Sequence, residues 1–355
     1  MCALSQLRCA IVTFHFVRNF GALWQAYALR AFLKKEGVEA VFVDYRPSHV
    51  EKGAVRESLA RGGVKAAGVS LYLKLQRCRE EVFGCHGQAD KFRAFAANHL
   101  PTTPQTYRTH RELLDSPPQA DVLLCGSDQI WHHSRQFGYD SAYFLAFGES
   151  VQRRVSYAAS FGGAKPPPHT ADQLTSWLRR LDAISVRERS GAEVVRELTG
   201  INATVTPDPT VLLGDFTHFI TSHTNEPPSQ LKAPYVLSYA LRHSSHVEAI
   251  AEAIAAEKGL SHFSVHARRL SPFASKQKLF PGPEEWLQLI HNAAYVVTNS
   301  FHGTIFSTLF KKQFLSVAIS GKKSIYNDRA TQFLIDCGLE RRIYRVRDAS
   351  NIIST

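Results

Sequence analysis

Short apolar runs alternate along this chain with longer stretches whose apolar positions recur at helical spacing, and the alternation continues through both halves. Cys9 to Phe14 reads as a strand, His15 to Gly21 as a turn, and Ala22 to Gly37 as a helix. The helix has an apolar stripe through Leu23, Ala26, Leu29 and Leu33, late basic residues and a glycine stop. Ala40 to Tyr45 reads as the next strand, so the chain opens with a right-handed βαβ unit that starts a parallel sheet. From about Pro47 to Pro118 the pattern is less regular. Helical pieces over Lys65 to Glu81 and Gln88 to Asn98, broken by Gly62-Gly63, Pro101 and Pro117-Pro118, predict a helical insertion or lid over about 47–118.

Strands return at Asp121 to Cys125, Arg154 to Ala159 and from Ala183, with a helix around Ala171 to Leu181 before the last. The polar stretch from Gly214 to Ala233, with Pro227-Pro228, reads as a linker. The second half repeats the pattern: strand Tyr235 to Tyr239, helix Val247 to Lys258, strand His262 to His266, a basic loop to Pro283, and helix Glu284 to His291. Strand Tyr295 to Val297 follows, then a short polar turn, an apolar helix starting near Thr304, strand Phe314 to Ala318 and helix Ser324 to Gly338. The expected fold is therefore α/β, with two Rossmann-like parallel-sheet domains facing a cleft. Residues 1–213 form the first, 214–233 the linker and 234–355 the second.

Composition narrows the class. The chain has 355 residues, 44% hydrophobic and 21% charged, the balance of a globular protein. No apolar run approaches the roughly 20 residues of a membrane-spanning helix, and the N-terminus lacks the pattern of a signal peptide. Six cysteines (Cys2, Cys9, Cys78, Cys85, Cys125 and Cys337) include no C-x-x-C pair, which points to a reduced, cytoplasmic protein. The formal charge of +11 suits phosphate-bearing substrates, an anionic membrane surface or nucleic acid. The absence of an aromatic-interleaved basic helix, an RNP-like string or a zinc module argues against nucleic acid. Doublets such as Arg179-Arg180, Arg268-Arg269, Lys311-Lys312, Lys322-Lys323 and Arg341-Arg342 otherwise read as solvated faces.

Candidate chemistry gathers where strands end, because ligands of parallel α/β sheets bind at the carboxyl ends of strands. His302 sits in the turn Asn299-Ser300-Phe301-His302-Gly303-Thr304. There it is either a hydrogen-bonded structural residue or an imidazole inside an anion site formed by backbone N–H groups and a helix dipole. Arg187 ends a strand, either as a surface ion pair with its neighbours or as a fork for carboxylate or phosphate. Gly126-Ser127-Asp128-Gln129 supplies a close-approach point, a hydroxyl, a carboxylate and an amide. A turn with a helix N-cap also explains Ser127 and Asp128. Asn19 and Gly21 lie in the first βα turn, and without G-x-G-x-x-G a dinucleotide is not indicated. Asp208, between two prolines, reads as a rigid turn. No histidine spacing points to a metal.

Taken in order, these strings resemble the polysaccharide pyruvyl transferase family. The matching pieces are Asn19 to Leu29, Gly126 to Trp131, Ile184 to Glu188, Asp208 to Leu213, Val297 to Thr304 and Asn327-Asp328-Arg329. The resemblance implies a fold like that of GT-B glycosyltransferases, phosphoenolpyruvate as donor, a sugar diol as acceptor, a pyruvate ketal product with release of phosphate, and no cofactor or metal. On this reading Arg187, Ser300, Phe301, His302, Gly303, Thr304 and Arg329 bind the donor. Asn19, Gly21, Gly126, Ser127, Asp128 and Gln129 bind the acceptor, a sugar or a lipid-linked oligosaccharide, on the first domain. His302 would be the acid and Asp128 the base. Many members carry arginine where this chain has Ser300, although a branch with serine exists; either Lys311, Arg329 or Arg268 supplies the missing charge or the donor is a different one. The expected location is cytoplasmic, with peripheral contact at the inner face of the plasma membrane. Two alternatives remain: a GT-B nucleotide-sugar glycosyltransferase, and a non-catalytic scaffold of a polysaccharide assembly complex.

Overall fold

The computed structural model describes residues 7–51, 87–134, 137–221, 231, 234–241, 244–265 and 278–345. The expected helical piece at Lys65 to Glu81, the pair Arg268-Arg269, and Cys2, Cys78 and Cys85 lie outside the described residues, as do the side chains of Lys322 and Lys323. The chain divides into two compact units, Met1–Leu213 and Gly214–Thr355. Each is a parallel-sheet α/β domain.

In the first unit seven strands lie in the order β3-β2-β1-β4-β5-β6-β7. They are β1 (Arg8–Val12), β2 (Glu39–Tyr45), β3 (Thr102–Tyr107), β4 (Val122–Asp128), β5 (Arg153–Ala159), β6 (Ala183–Val186) and β7 (Thr204–Val205), and all neighbours pair in parallel. The chain builds outward from β1 to β3, then returns to place β4 on the other side of β1. That reversal is a topological switch point, where a crevice opens beyond the strand ends.

Helix α1 (Phe20–Lys35) enters from the β1 turn, with Asn19 as N-cap accepting from the Ala22 N–H at 3.2 Å. Leu23, Ala26 and Leu29 are buried as the stripe requires, and Leu33 is half-buried. The helix stops at Glu36, with Gly37 at φ 79° closing the end. The core of the unit is continuous from Ala10, Val12 and Val43 through Leu123, Trp131 and Phe144 to Val186 and Val195.

The second unit repeats the topology with six strands in the order β10-β9-β8-β11-β12-β13. These are β8 (Tyr235–Tyr239), β9 (Ser261–Val265), β10 (Lys278–Leu279), β11 (Tyr295–Thr298), β12 (Gln313–Val317) and β13 (Ile343–Tyr344), again all parallel. Here β8 and β11 flank the switch point. Fully buried Tyr235, Tyr239, Trp286 and Phe306 are among its largest packed side chains.

Several boundaries differ from the sequence expectation. The stretch 47–118 is not wholly helical. It holds α2 (Gln88–His99), as expected, but also β3 and the short α3 (His110–Asp115). The segment Thr-Thr-Pro-Gln-Thr-Tyr is polar and contains proline, a composition a sheet tolerates only at its edge, which is where β3 lies. The charged run after β6 opens a helix, α5 (Arg189–Thr199), after α4 (Ala171–Leu178). Within 214–233, Thr217–Thr221 forms a helical turn, and Phe216 packs edge-on against Phe306 with ring centroids 5.0 Å apart. That part of the expected linker contributes to the second unit's core.

Candidate active site

In the first unit the end of β4 is locked to the end of β1. Thr13 Oγ1 donates to the Ser127 carbonyl at 3.0 Å, and Gln25 Oε1 accepts from the Ser127 N–H at 3.2 Å while its Nε2 donates to Thr13 Oγ1. A Cβ at Gly126, whose φ is 120°, would stand 2.1 Å from the Tyr157 carbonyl oxygen, so only glycine lets β4 lie this close to β5. The Gly126-Ser127 peptide is cis. Opposite it β5 keeps register with β4, pairing Tyr157 with Gly126 and Ala159 with Asp128, while its pairing with β6 shifts between Ser156 and Ala159; the Ala158 carbonyl accepts from Ser127 Oγ at 3.1 Å.

Beta-strand geometry continues to Asp128 and no helix follows it. The helix N-cap explanation of Ser127 and Asp128 is therefore corrected: Ser127 is buried in the sheet, while Asp128 is held at φ 76°. That left-handed conformation costs a non-glycine residue about 1–3 kcal/mol and persists only where its surroundings fix it.

Arg187 supplies part of that fixing. It follows β6, and its side chain is 3% exposed, so the surface ion pair considered from sequence is excluded. Nη2 donates to Ser127 Oγ and lies 3.2 Å from Asp208 Oδ2, while Nη1 stands 3.9 Å from Asp128 Oδ1. Asp208 does form the tight turn read from its prolines, accepting from Thr210 N and Oγ1 at 2.9 and 2.6 Å. It is also the buried counter-charge of Arg187, a pairing that sequence spacing did not reveal. Nearby Glu188 is buried too and accepts from Ser160 Oγ at 2.8 Å. Burial, reinforced by the Asp208 charge, pushes the Tyr157 phenol up to about 12 despite Arg187.

In the second unit the same two switch strands are tied together. Thr298 Oγ1 donates to the Tyr239 carbonyl at 2.6 Å, and Asn299 Oδ1 accepts from the Leu241 N–H at 3.0 Å. Helix α9 (Phe301–Leu309) begins three residues before the expected Thr304. Ser300 is its N-cap and accepts from the Gly303 N–H at 3.3 Å, so His302 and Gly303 occupy the first helical turn rather than a loop. The Ser300 N–H donates to Thr298 Oγ1, and the Thr304 N–H to the Ser300 carbonyl. Three of the N–H groups expected to cradle an anion are thus engaged within the chain.

A Cβ at Gly303 would come within 2.5 Å of Thr298 Oγ1, which explains glycine beside the histidine. His302 is buried, edge-on to Phe301 with centroids 5.1 Å apart, and the Arg329 guanidinium stands over the same Phe301 ring at 5.1 Å. Arg329 lies in α10 (Asp328–Asp336), preceded by a 3-10 turn, so the expected helix over Ser324 to Gly338 starts late. Asn327 brackets Ile319 through both its amide atoms at 2.8 Å. Lys311 follows the far end of α9.

The structure thus gathers Ser127, Asp128 and Arg187 in one cluster, and Ser300, Phe301, His302, Gly303, Thr304 and Arg329 in another. Each stands at the switch point of its own sheet or packs against it. Asn19 and Gly21 serve the start of α1. Among the described residues no set of three or more His, Cys, Asp or Glu is placed to hold a metal ion, and no helix is long and apolar enough to cross a membrane.

A sequence profile of the polysaccharide pyruvyl transferases matches residues 19–321. The chain belongs to the polysaccharide pyruvyl transferase family. Comparison with curated proteins gives no match. Among solved structures, the S. aureus MnaA–UDP co-structure is similar over 95% of this chain and 90% of that one, at 11% identity and a TM-score of 0.48. The UDP-GlcNAc 2-epimerase of Methanocaldococcus jannaschii, in complex with UDP-GlcNAc and UDP, is similar over 96% and 88%, at 12% identity and 0.49. E. coli heptosyltransferase WaaC with ADP-2-deoxy-2-fluoro heptose is similar over 94% and 100%, at 12% identity and 0.37. These likenesses are too distant to bear on substrate. The family match spans Ser127, Asp128, Arg187 and Ser300 to Thr304.

Proposed function

We propose that this pyruvyl transferase moves the enolpyruvyl group of phosphoenolpyruvate onto two hydroxyls of a sugar, forming a pyruvate ketal and releasing phosphate during cell-surface polysaccharide synthesis. The family match over residues 19–321 carries the reading. In the proposed reaction His302 protonates the methylene carbon of the enol. Asp128 takes the proton of the first sugar hydroxyl as its oxygen bonds to the adjacent carbon. The C–O bond to phosphate then breaks with its electron pair leaving on phosphate, and the second hydroxyl closes the ketal. Of the two hydroxyl protons, one replaces that given to the methyl group and the other goes to phosphate or solvent, so no electrons are exchanged with a cofactor.

In this scheme Arg187, engaged with Ser127 and Asp208, positions Asp128. Arg329 supplies the cationic charge that Ser300 does not, since it shares the Phe301 ring with His302 whereas Lys311 follows the other end of α9. The charge of +11 supports an acceptor carried on an anionic lipid at the inner face of the plasma membrane. Co-sedimentation with anionic vesicles that is lost at high salt would follow.

The decisive experiment is phosphate release from phosphoenolpyruvate by the full chain, across lipid-linked and nitrophenyl sugars. Acceptor-dependent release is expected, and His302→Ala should lower it by about 100-fold or more. Full turnover in His302→Ala removes the acid role. Stabilisation by nucleotide sugars but not by phosphoenolpyruvate transfers the chain to glycosyl transfer.

A further inference from the structure

Besides the Arg187 cluster, the first unit contains a cavity of about 710 Å³ that nothing above assigns. Its volume lies within the range of small-molecule sites. Tyr45, His49, Gln129, Phe137 and Asp140 are among its walls; Asp128 and Arg187 are not. The carboxylate of Asp140 is the fixed point. Its Oδ2 accepts from Tyr45 Oη at 2.8 Å and lies 3.4 Å from His49 Nε2, while Oδ1 accepts from the Ala142 N–H at 3.0 Å. Partly exposed and oriented from three sides, it keeps lone-pair directions for a hydroxyl donor.

Phe137 stacks obliquely on His49 at 5.3 Å, and the Tyr45 and Tyr143 rings meet at 5.8 Å, which gives the cavity apolar walls. Gln129 and Tyr143 also line the cavity, each with a polar atom, Nε2 and Oη, that is buried behind its wall without a hydrogen-bond partner among the described residues. An oriented carboxylate acceptor beside aromatic walls, with Arg108, His110 and His132 also lining the cavity as hydrogen-bonding side chains, matches a polyhydroxylated ring.

We propose that this cavity is a subsite for a glycosyl residue of the acceptor, adjoining the Asp128 cluster through Gln129, its neighbour in the chain. The proposal rests on the reading of the acceptor as a saccharide.

The test is binding of a panel of 4-nitrophenyl disaccharides to the full chain without phosphoenolpyruvate, followed by saturation-transfer NMR and calorimetry. At least one disaccharide should bind the wild type. Asp140→Asn and Phe137→Ala, each checked for wild-type thermal unfolding, should each weaken it about tenfold. Wild-type affinity in both variants overturns the subsite, as does failure of every disaccharide to bind or displacement of the bound disaccharide by UDP with Asp140→Asn no weaker. Phosphate release is read separately. If disaccharides bind as expected but phosphoenolpyruvate is not turned over, the subsite stands and the pyruvyl reaction falls.

Discussion

Arg187 and Asp208 form an ion pair at 3.2 Å with side chains 3% and 0% exposed, joining the end of β6 to the start of α6 (Pro209–Leu213). Removing one member of such a pair leaves an uncompensated buried charge, at a cost of about 3–5 kcal/mol. Arg187→Ala should therefore destabilise the chain by that amount in urea denaturation, and Arg187→Ala with Asp208→Asn together should recover part of it. An Arg187→Ala chain with wild-type stability would show that the pair contributes little.

Gly303 marks a second tight contact. The Cβ of Gly303→Ala would press on Thr298 Oγ1, which is itself bonded to the Tyr239 carbonyl. Overpacking of this kind costs about 1–3 kcal/mol. We expect a lower melting temperature together with loss of phosphate release, because His302 moves with the helix start.

Ser300→Arg is expected to fail as a way of adding a positive charge at the start of α9. Ser300 is buried and caps α9, and loss of a cap costs about 1 kcal/mol before the arginine is accommodated. Arg329→Gln should instead raise the KM for phosphoenolpyruvate with a smaller effect on stability. Steady-state phosphate release separates the two; an unchanged KM in Arg329→Gln would leave Arg329 a packing residue on Phe301.

Burial pushes the His262 imidazole down to about 4, where it lies 2.9 Å from Ser238 Oγ and 3.8 Å from Glu248 Oε2. The unfolded chain takes up this proton below about pH 6.5, and the folded chain only near pH 4. Stability is therefore complete above pH 6.5 and falls as the pH drops toward 4, by about 2 kcal/mol between pH 7 and 5 from this group. His262→Asn should flatten that part of the urea-denaturation profile; an unaltered slope would place the acid sensitivity elsewhere.

Asp44 adds a lower window. Burial alone would raise its carboxyl, but hydrogen bonds from His15, Thr106 and Arg46, with the Arg46 charge, hold it well below the usual carboxylate range. Its stabilisation is present above about pH 4 and is lost as the pH falls further. Asp44→Asn should be destabilising at pH 7 and less so in strong acid, as read by chemical denaturation.

Much of the fold was legible in the chain because its central strands are short apolar runs and its main helices carry periodic apolar faces. Tyr235 to Tyr239 and Tyr295 to Val297 lie in strands as read, and α1, with its stripe and glycine stop, starts only two residues earlier than read. Beta3 was not legible, because an edge strand needs no apolar alternation and Thr-Thr-Pro-Gln-Thr-Tyr has none. The early start of α9 was hidden in a serine whose side chain does the capping, a contact that hydropathy does not register.

The ordered motifs by themselves determined the family and the kinds of residue in play: a histidine beside glycine, an arginine after a strand, and a Gly-Ser-Asp-Gln end. Local sequence could do this because each motif is continuous. Only the tertiary structure decided which groups meet. Arg187 and Asp208 are separated by a helix and a strand in the chain, and Phe301 and Arg329 by a helix, a strand and a turn, so their pairing depends on how the parallel sheets order their strands. The Asp140 cavity depends on the same ordering, since its walls come from the ends of β2 and β4 and the loop after β4, which β1 brings side by side.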